Sequence, residues 1–186
     1  MICAILLDGD LGAGKTLSAV ALASIWAAKA KLPLLSNMTV KGSFKIEHME
    51  DWAKIPDFRE RGSILLLDEA QSLLDSRTSQ TKGQIKFTNF LQYLRKMRCL
   101  VIFTTPNFKY VDVRVRERVS YRIYVSRVGH KVVWDIFNPS TDAFIKTKIL
   151  SGEKLKRFYP LYDTFELVSP VELPTDLRTL LGESAL

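Results

Sequence analysis

The chain of 186 residues is poor in cysteine and histidine. Its two cysteines, Cys3 and Cys99, lie in or near apolar stretches and imply neither a disulfide framework nor a metal site. His48 and His130 are isolated in the sequence, so we expect surface positions for them and no ligand role. Since cysteines without disulfide spacing are typical of a reducing compartment, the expected location is the cytoplasm.

Long apolar runs are also absent. No stretch approaches the roughly 20 residues of a membrane-spanning helix, and no basic region precedes an apolar segment at the N-terminus. We therefore expect neither a transmembrane segment nor a signal peptide. An apolar content of 47% and a charged content of 25% are ordinary for a globular protein. We predict one domain over residues 1–168, followed by a C-terminal tail over 169–186.

Acidic residues are scarce in one part of the chain. Residues 82–131 hold twelve lysines and arginines against Asp112 and Glu117, a net charge of +10, while the whole chain carries +7 and its remainder therefore −3. Such a basic zone predicts a polyanion partner, namely DNA bound non-specifically through its phosphates. The alternative is a solvated basic face together with arginines that serve a neighbouring subunit's nucleotide.

The most informative pattern present is a glycine-rich loop, the P-loop. Residues 9–16 fit Gly-x-x-x-x-Gly-Lys-[Ser/Thr] at every fixed position, between an apolar run of strand length and a strong helix former. Because glycines let backbone N–H groups point at phosphate oxygens, the motif indicates bound ATP with Mg²⁺. Lys15 would reach the β/γ-phosphates, and Thr16 would be a ligand of Mg²⁺. The predicted contacts are Gly9, Asp10, Leu11, Gly12, Ala13, Gly14, Lys15, Thr16 and Leu17.

A second motif ends in two carboxylates. Residues 63–71 read Ser-Ile-Leu-Leu-Leu-Asp-Glu-Ala-Gln, and the unbroken aliphatic run is typical of a strand buried on both faces. Acids at the carboxyl end of such a strand lie beside the phosphate loop. We expect Asp68 to hold Mg²⁺, directly or through water, and Glu69 to be the general base or to orient the attacking water. Alternatively Glu69 is a helix N-terminal acid, and the two roles can coexist.

A third buried-strand pattern, residues 100–106, ends in Thr104, Thr105 and Pro106. In P-loop ATPases the strand beside the acidic one often carries a polar residue that contacts the γ-phosphate or the attacking water. Thr105 is our first candidate for this sensor and Thr104 the second. The alternative is two threonines placed at a strand end by their β propensity.

Arginines cluster between this strand and the next predicted element. Residues 111–119 contain Arg114, Arg116 and Arg118, with too few acidic residues nearby for these arginines to form simple ion pairs. Ring-forming NTPases supply an arginine to the neighbour's γ-phosphate, and the planar guanidinium suits that task. We predict that Arg114 or Arg116 acts in this way in trans. The alternative is an exposed basic strand or a DNA contact.

The periodicities predict an α/β fold, with a mainly parallel central sheet flanked by helices and a C-terminal β-hairpin extension, and the glycine-rich loop indicates a P-loop NTPase. The predicted strands cover residues 2–7, 34–40, 63–68 and 100–105, and the hairpin covers 121–137. The predicted helices cover 15–30, 47–55 and 86–97, with one or two more over 153–168 broken by Pro160. Residues 75–84 are predicted to be a mobile loop.

Together these motifs resemble the zonular occludens toxin family, which includes the gene I assembly ATPases of filamentous phages. They are also similar to the wider FtsK–HerA group of DNA-pumping and virus-packaging ATPases. The resemblance rests on residues 9–16, 35–40, 62–71, 90–95, 104–106 and 112–116, and it spans about residues 1–165. It implies a RecA/FtsK–HerA-like fold and a virus-encoded ring ATPase that is a hexamer. Its ATPase centre would be Lys15, Thr16, Asp68 and Glu69, with an arginine from 114–116.

Two departures from the family shape the functional expectation. Family members often have glutamine where Thr105 stands, and the filamentous-phage proteins continue into a transmembrane helix and an outer domain that we do not expect here. We therefore expect a compact motor in the host cytoplasm or on the virion that packages or exports viral DNA. Basic loops from 75–98, with the hairpin as a further candidate, would line a pore and bind the DNA backbone, and a portal, coat or membrane protein would be a partner.

Two other functions compete with this one. The first is an ATP-dependent assembly or scaffolding protein that does not move DNA. The second is a small-molecule kinase, which is disfavoured because Asp68, Glu69 and the basic zone suit attack by water and a polymeric substrate.

Overall fold

The computed structural model describes residues 4–58, 60–71, 83–168 and 173. The strands are β1 (Ala4–Asp8), β2 (Leu34–Ser36), β3 (Phe44–Lys45), β4 (Ser63–Leu67), β5 (Cys99–Thr104), β6 (Tyr121–Val128), β7 (Lys131–Phe137) and β8 (Phe144–Leu150). The helices are α1 (Lys15–Ala30), α2 (Lys54–Asp57), α3 (Gly83–Lys96), α4 (Val113–Arg116) and α5 (Gly152–Lys156). Single 3₁₀ turns cover Met49–Ala53, Phe108–Tyr110 and Tyr159–Leu161.

The eight strands of the described residues form one sheet in the order β3-β2-β4-β5-β1-β6-β7-β8. The strands from β3 to β6 are parallel, whereas β7 and β8 join antiparallel. The α/β fold with a mainly parallel sheet and a C-terminal hairpin extension is therefore confirmed. Because β1, β4 and β5 are parallel neighbours, the residues that follow them meet at one edge of the sheet.

The core lies on both faces of this sheet. Along β1, β4 and β5 alternate residues enter two separate buried clusters, which explains why these strands read as unbroken apolar runs. One cluster packs against α3 through Phe90, Leu91 and Leu94, and the other packs against α1. The helix α1 thus lies against the sheet directly behind the P-loop. Within the described residues, no helix is long and apolar enough to cross a membrane.

The hairpin is built into the sheet and also packed onto α1. Buried Ile123, Val125, Val132 and Trp134 confirm its predicted alternation. The Trp134 indole N–H donates to the Ser18 hydroxyl of α1 at 2.9 Å. Strand β6 pairs with β1 only as far as Asp8, so its last residues run on past the carboxyl end of β1.

Several predicted bounds change. The second strand stops at Ser36 instead of continuing to 40, and the helix expected over 47–55 begins as a 3₁₀ turn and continues as α2 to Asp57. Helix α3 begins at Gly83, earlier than predicted. Most of the expected loop 75–84 and of the tail 169–186 lies outside the described residues.

The C-terminal part differs most from expectation. Strand β8 was not predicted, because six of its seven residues are exposed and neither face carries a continuous apolar stripe. The helical stretch expected over 153–168 reduces to α5 and the 3₁₀ turn Tyr159–Leu161. Pro160 lies within the first turn of that 3₁₀ helix, where its missing N–H removes no helical hydrogen bond.

Replacing Gly9 by alanine tests how closely β6 approaches the P-loop. A Cβ there would collide with the Val125 carbonyl oxygen, and the φ of +146° is one that L-residues rarely adopt. We expect Gly9→Ala to lower the free energy of unfolding by about 3 kcal/mol or more, because backbone strain and overpacking add. Urea denaturation measures this loss.

Gly42→Ala is the matched control for this substitution. Gly42 also has a positive φ, +83°, but a Cβ there would meet no atom within 4 Å. It should lose only about 1 kcal/mol. Equal losses for the two variants would contradict the close approach of β6.

Candidate nucleotide site

The Asp68 carboxylate lies at the centre of the site. It follows β4 and is only 3% exposed. The Thr16 hydroxyl, in the first turn of α1, donates to it at 3.0 Å, and the Thr104 hydroxyl, at the end of β5, donates at 2.8 Å. The structure thus brings together two predicted magnesium ligands and one of the two sensor candidates.

Burial raises the pKa of the Asp68 carboxyl above its ordinary value. Hydrogen bonds from Thr104 and Thr16 oppose this shift, while the neighbouring Glu69 carboxylate adds to it. A buried carboxylate of this kind is stabilised in its ionised form by a nearby cation.

The donor set fits Mg²⁺ bound together with phosphates. Carboxylate and hydroxyl oxygens are the hard ligands that Mg²⁺ prefers, and Mg²⁺ is usually held by one or two carboxylates plus substrate phosphates. Among the residues that the structure describes, no group of three or more His, Cys, Asp or Glu side chains could hold a metal by itself. Thr16 and Asp68 are therefore suited to a metal that arrives with a nucleotide.

Asn37 is a site residue that sequence reasoning missed. Its side-chain amide is buried after β2, donates to the Asp68 carbonyl oxygen at 2.8 Å and accepts from the Asp68 N–H at 2.8 Å. Two hydrogen bonds in this arrangement fix the backbone on which the carboxylate depends. The signal for it in the sequence was weak, because Asn37 lies in the middle of the predicted strand 34–40, whereas the observed strand ends at Ser36.

Glu69 is exposed and adopts a left-handed backbone conformation, with φ of +52°. Its N–H donates to the Thr104 hydroxyl at 2.9 Å, and the Gln71 side-chain amide donates to its carboxylate at 2.7 Å. This conformation is uncommon for a residue other than glycine, and such residues concentrate at functional sites. Thr104 therefore links the backbone of Glu69 to the carboxylate of Asp68.

The two sensor candidates differ in their hydrogen bonds. Thr105 is buried, and its N–H donates to the Leu7 carbonyl oxygen at 3.0 Å, which extends the pairing of β5 with β1. Thr104 has the hydrogen bonds to both acidic residues. The apolar strand before these threonines does not reveal which hydroxyl turns toward the acids.

The P-loop has the conformation that its glycines predict. Gly9, Gly12 and Gly14 all have positive φ. The Lys15 ammonium folds back onto the loop and donates to the carbonyl oxygens of Gly9 and Asp10 at 2.9 and 3.0 Å. Gly14 caps α1 without a side-chain hydrogen bond, so backbone N–H groups of the first turn of α1 can serve an anion.

A cleft of about 350 Å³ opens beside the P-loop, and we call it the P-loop cleft. Its lining comprises Leu11, Gly12, Gly14, Lys15, Thr16, Leu17, Glu69, Arg127, Val132, Tyr159, Tyr162 and Thr164. An adjoining cleft of about 390 Å³ shares Thr16, Glu69, Tyr162 and Thr164 and also reaches Asp68. Volumes of this size are typical of small-molecule sites. The contribution of residues 159–164 and of Arg127 was not predicted.

The arginine segment is a helical turn instead of a strand. Asp112 caps α4 and lies 3.0 Å from the Arg114 guanidinium, so the expectation that Arg114 lacks an acidic partner is wrong. Arg116 donates to the carbonyl oxygens of Val111 and Lys109, each at 2.7 Å. Neither arginine lines the P-loop cleft or the adjoining cleft of its own chain.

Part of the basic zone is structural. Arg122 donates to the buried Asp8 carboxylate at 2.9 Å and also pairs with Asp142. Its guanidinium lies over the rings of Phe108 and Phe137 at 4.4 and 5.4 Å. Arg122 therefore holds β6 against the segment that follows β5. The basic residues of the zone that the structure shows exposed are Arg95, Lys96, Arg98, Lys109, Arg114, Arg118, Arg127 and Lys131.

The family model of zonular occludens toxin (Zot) matches residues 24–165. The chain belongs to the zonular occludens toxin family. The match covers β4 with Asp68 and Glu69, β5 and α4, and it begins after the P-loop. No curated protein matches the chain.

Solved structures share the fold. The N-terminal domain of zonular occludens toxin from Neisseria meningitidis is 16% identical at a TM-score of 0.57, over 88% of this chain and 100% of that one. The genome packaging NTPase B204 from Sulfolobus turreted icosahedral virus 2, in complex with ATP-γS, is 11% identical at a TM-score of 0.54, over 78% of this chain and 95% of that one. The structure of B204, the DNA-packaging ATPase from Sulfolobus turreted icosahedral virus, has the same identity, TM-score and coverage of both chains. At these identities the likeness shows the fold alone.

Replacing Asn37 tests its role in holding Asp68. Asn37→Ala would leave the buried N–H and C=O of Asp68 without these partners, and we expect a loss of about 2–4 kcal/mol in the free energy of unfolding. Asn138→Ala is the control, because the exposed Asn138 also accepts two backbone hydrogen bonds, from Ser140 and Thr141. Chemical denaturation of both variants should give the larger loss for Asn37→Ala, and a reversed order would refute this role.

Proposed function

We propose that this Zot-family chain is an ATP-hydrolysing motor that moves viral DNA during genome packaging or virion export. The observation that carries the proposal is the meeting of Thr16, Asp68, Thr104 and Glu69 beside the P-loop. Family membership supports a viral setting, and the complex of B204 with ATP-γS supports a nucleotide as ligand of this fold.

In this proposal each residue of the site has a distinct role. The Lys15 ammonium leaves the carbonyl oxygens of Gly9 and Asp10 and binds the β/γ-phosphates, aided by the N-terminus of α1. Thr16 and Asp68 would hold Mg²⁺, which would neutralise charge on the phosphate oxygens. Glu69 orients the attacking water and accepts its proton, since its exposed carboxylate borders the P-loop cleft.

DNA would be bound through its phosphates by exposed basic residues. Arg95 and Arg118 line one cleft of about 240 Å³, together with residues that immediately precede β6. This cleft lies at the amino end of the parallel strands, whereas the nucleotide site lies at their carboxyl end. Such contacts read charge and not sequence, so the proposed binding is non-specific.

The proposed assembly is a homo-oligomeric ring, with six subunits as in the implied family architecture. Arg114 or Arg116 would reach the γ-phosphate of the neighbouring subunit, and their position outside the clefts of their own chain supports this. The motor would act in the host cytoplasm or on the virion, where a portal, coat or membrane protein is the proposed partner.

Removing the charge of Glu69 tests the proposed hydrolysis. Glu69→Gln should lower ATP turnover at least about 10²-fold, because the proton acceptor is lost, while leaving ATP binding intact. Glu50→Gln, which changes an exposed glutamate in the 3₁₀ turn Met49–Ala53, is the matched control and should keep wild-type turnover. Steady-state hydrolysis and equilibrium ATP binding are measured for the wild type and for both variants.

DNA should stimulate this turnover if the chain is a translocase. We expect higher ATP hydrolysis with DNA at low salt and a decline of that stimulation as salt rises, because phosphate contacts weaken with ionic strength. Comparing single-stranded with duplex DNA distinguishes export from packaging. Turnover that Glu69→Gln abolishes but that is indifferent to DNA at low salt would contradict the motor and favour an ATP-dependent assembly scaffold.

Mixing variants tests whether an arginine acts in trans. Arg114→Ala or Arg116→Ala should lower hydrolysis by roughly 10³-fold without loss of ATP binding, whereas the charge-matched control Lys156→Ala on α5 should not. Glu69→Gln subunits retain both arginines, so mixing them with the inactive arginine variant should restore part of the turnover. No restoration, or full activity in both arginine variants, would contradict a trans-acting arginine.

A further inference from the structure

One wall of the P-loop cleft comes from the hairpin. Beyond its pairing with β1, strand β6 passes so close to the P-loop that a Cβ on Gly9 would meet the Val125 carbonyl oxygen. On β7, a methyl group of Val132 lies 3.5 Å from the position of a Cβ on Gly14. Val132 pairs with Arg127 across the hairpin, so their side chains leave the same face of the sheet. We call Arg127 and Val132 the hairpin wall.

A second part of the lining comes from the 3₁₀ turn Tyr159–Leu161. Leu155 and Phe158, just before it, belong to the same buried cluster as Leu17 and Val132, which holds the turn against the hairpin. At the last residue of the turn, the Leu161 carbonyl oxygen accepts from the Lys41 N–H at 2.7 Å. The turn is therefore fixed at both ends, yet Tyr159 is 42% exposed and lines the P-loop cleft.

The residues that line the P-loop cleft are of two chemical kinds. Lys15, Thr16 and Glu69 are polar or charged, as phosphates and metal require. Leu11, Arg127 and Tyr159 line the same cleft and are exposed, Leu11 fully so. An exposed aromatic side chain and an exposed guanidinium in one cleft are suited to a planar heteroaromatic ring, which stacks on the one and contacts the other.

We infer that Tyr159 and the hairpin wall form the subsite for the base and ribose of the bound nucleoside triphosphate. Tyr159 stacks on the base, and Arg127 contacts the same nucleoside from the hairpin, while the buried Val132 supports this wall from the core. This inference rests on the proposed nucleotide binding at the P-loop. It adds that affinity for the nucleoside is supplied by elements distant in sequence from the P-loop itself.

The test separates nucleoside contacts from phosphate contacts. Calorimetry gives the dissociation constants of ATP-γS and of inorganic tripolyphosphate, each with Mg²⁺, and the ratio of the two is the readout. Tyr159→Ala should weaken ATP-γS binding about ten-fold, the size expected for loss of one base–aromatic stack, and leave tripolyphosphate binding unchanged. Tyr159→Phe should restore the wild-type ratio, and Arg127→Gln should shift the ratio in the same direction as Tyr159→Ala.

Phe165→Ala is the matched control, because Phe165 is an aromatic side chain 90% exposed on the same segment and outside the lining of both clefts. It should keep the wild-type ratio. If Tyr159→Ala fails to bind tripolyphosphate, Tyr159→Leu replaces it, since leucine keeps an apolar side chain but offers no aromatic face.

The outcomes for the subsite and for the proposed function are distinct. Wild-type protein that binds neither ATP-γS nor tripolyphosphate would overturn nucleotide binding at the P-loop altogether. Wild-type protein that binds both, with a ratio unchanged in Tyr159→Ala and in Arg127→Gln, would overturn the subsite alone.

Discussion

The burial of one carboxylate, Asp68, is the constraint on which the rest of the site depends. It is only 3% exposed, so its oxygens and its backbone need partners within the protein. Thr16 from α1, Thr104 from β5 and Asn37 after β2 supply them. These partners come from the P-loop helix and from both strands beside β4, so the same hydrogen bonds that satisfy the carboxylate also align the elements around the nucleotide site.

The sheet separates the two tasks that the motor proposal requires. In that proposal hydrolysis takes place at the carboxyl ends of β1, β4 and β5, and DNA binds at the cleft with Arg95 and Arg118, which lies at the amino ends. Between them, the ion pair of Asp8 with Arg122 ties the strand that enters the P-loop to β6. Arg122 also contacts the Phe108 ring. The guanidinium of Arg116, in α4, lies over the same ring. A continuous set of contacts thus joins the P-loop strand to the proposed trans-acting segment.

Much of the fold and of the candidate site could be predicted from the sequence, because the motifs that decide them are local. The P-loop and the apolar run that ends in Asp68 are continuous patterns whose residues keep their neighbours in the fold. Asn37, Arg122 and Tyr159 could not be assigned, since their partners are distant along the chain; Arg122 and Asp8 are 114 residues apart. The ion pair of Arg114 was missed for a different reason, because its partner Asp112 is two residues away and also caps α4. Strand β8 was missed because its exposed residues carry no alternation.

A crystal structure of the protein with Mg²⁺ and ATP-γS would test the proposed site directly. We predict that the triphosphate lies on the P-loop and that the Lys15 ammonium has left the carbonyl oxygens of Gly9 and Asp10 for the phosphates. We also predict that Mg²⁺ lies beside Thr16 and Asp68, while the Asn37 amide still holds the Asp68 backbone. A nucleotide bound elsewhere, or a metal remote from Asp68, would contradict the proposed site.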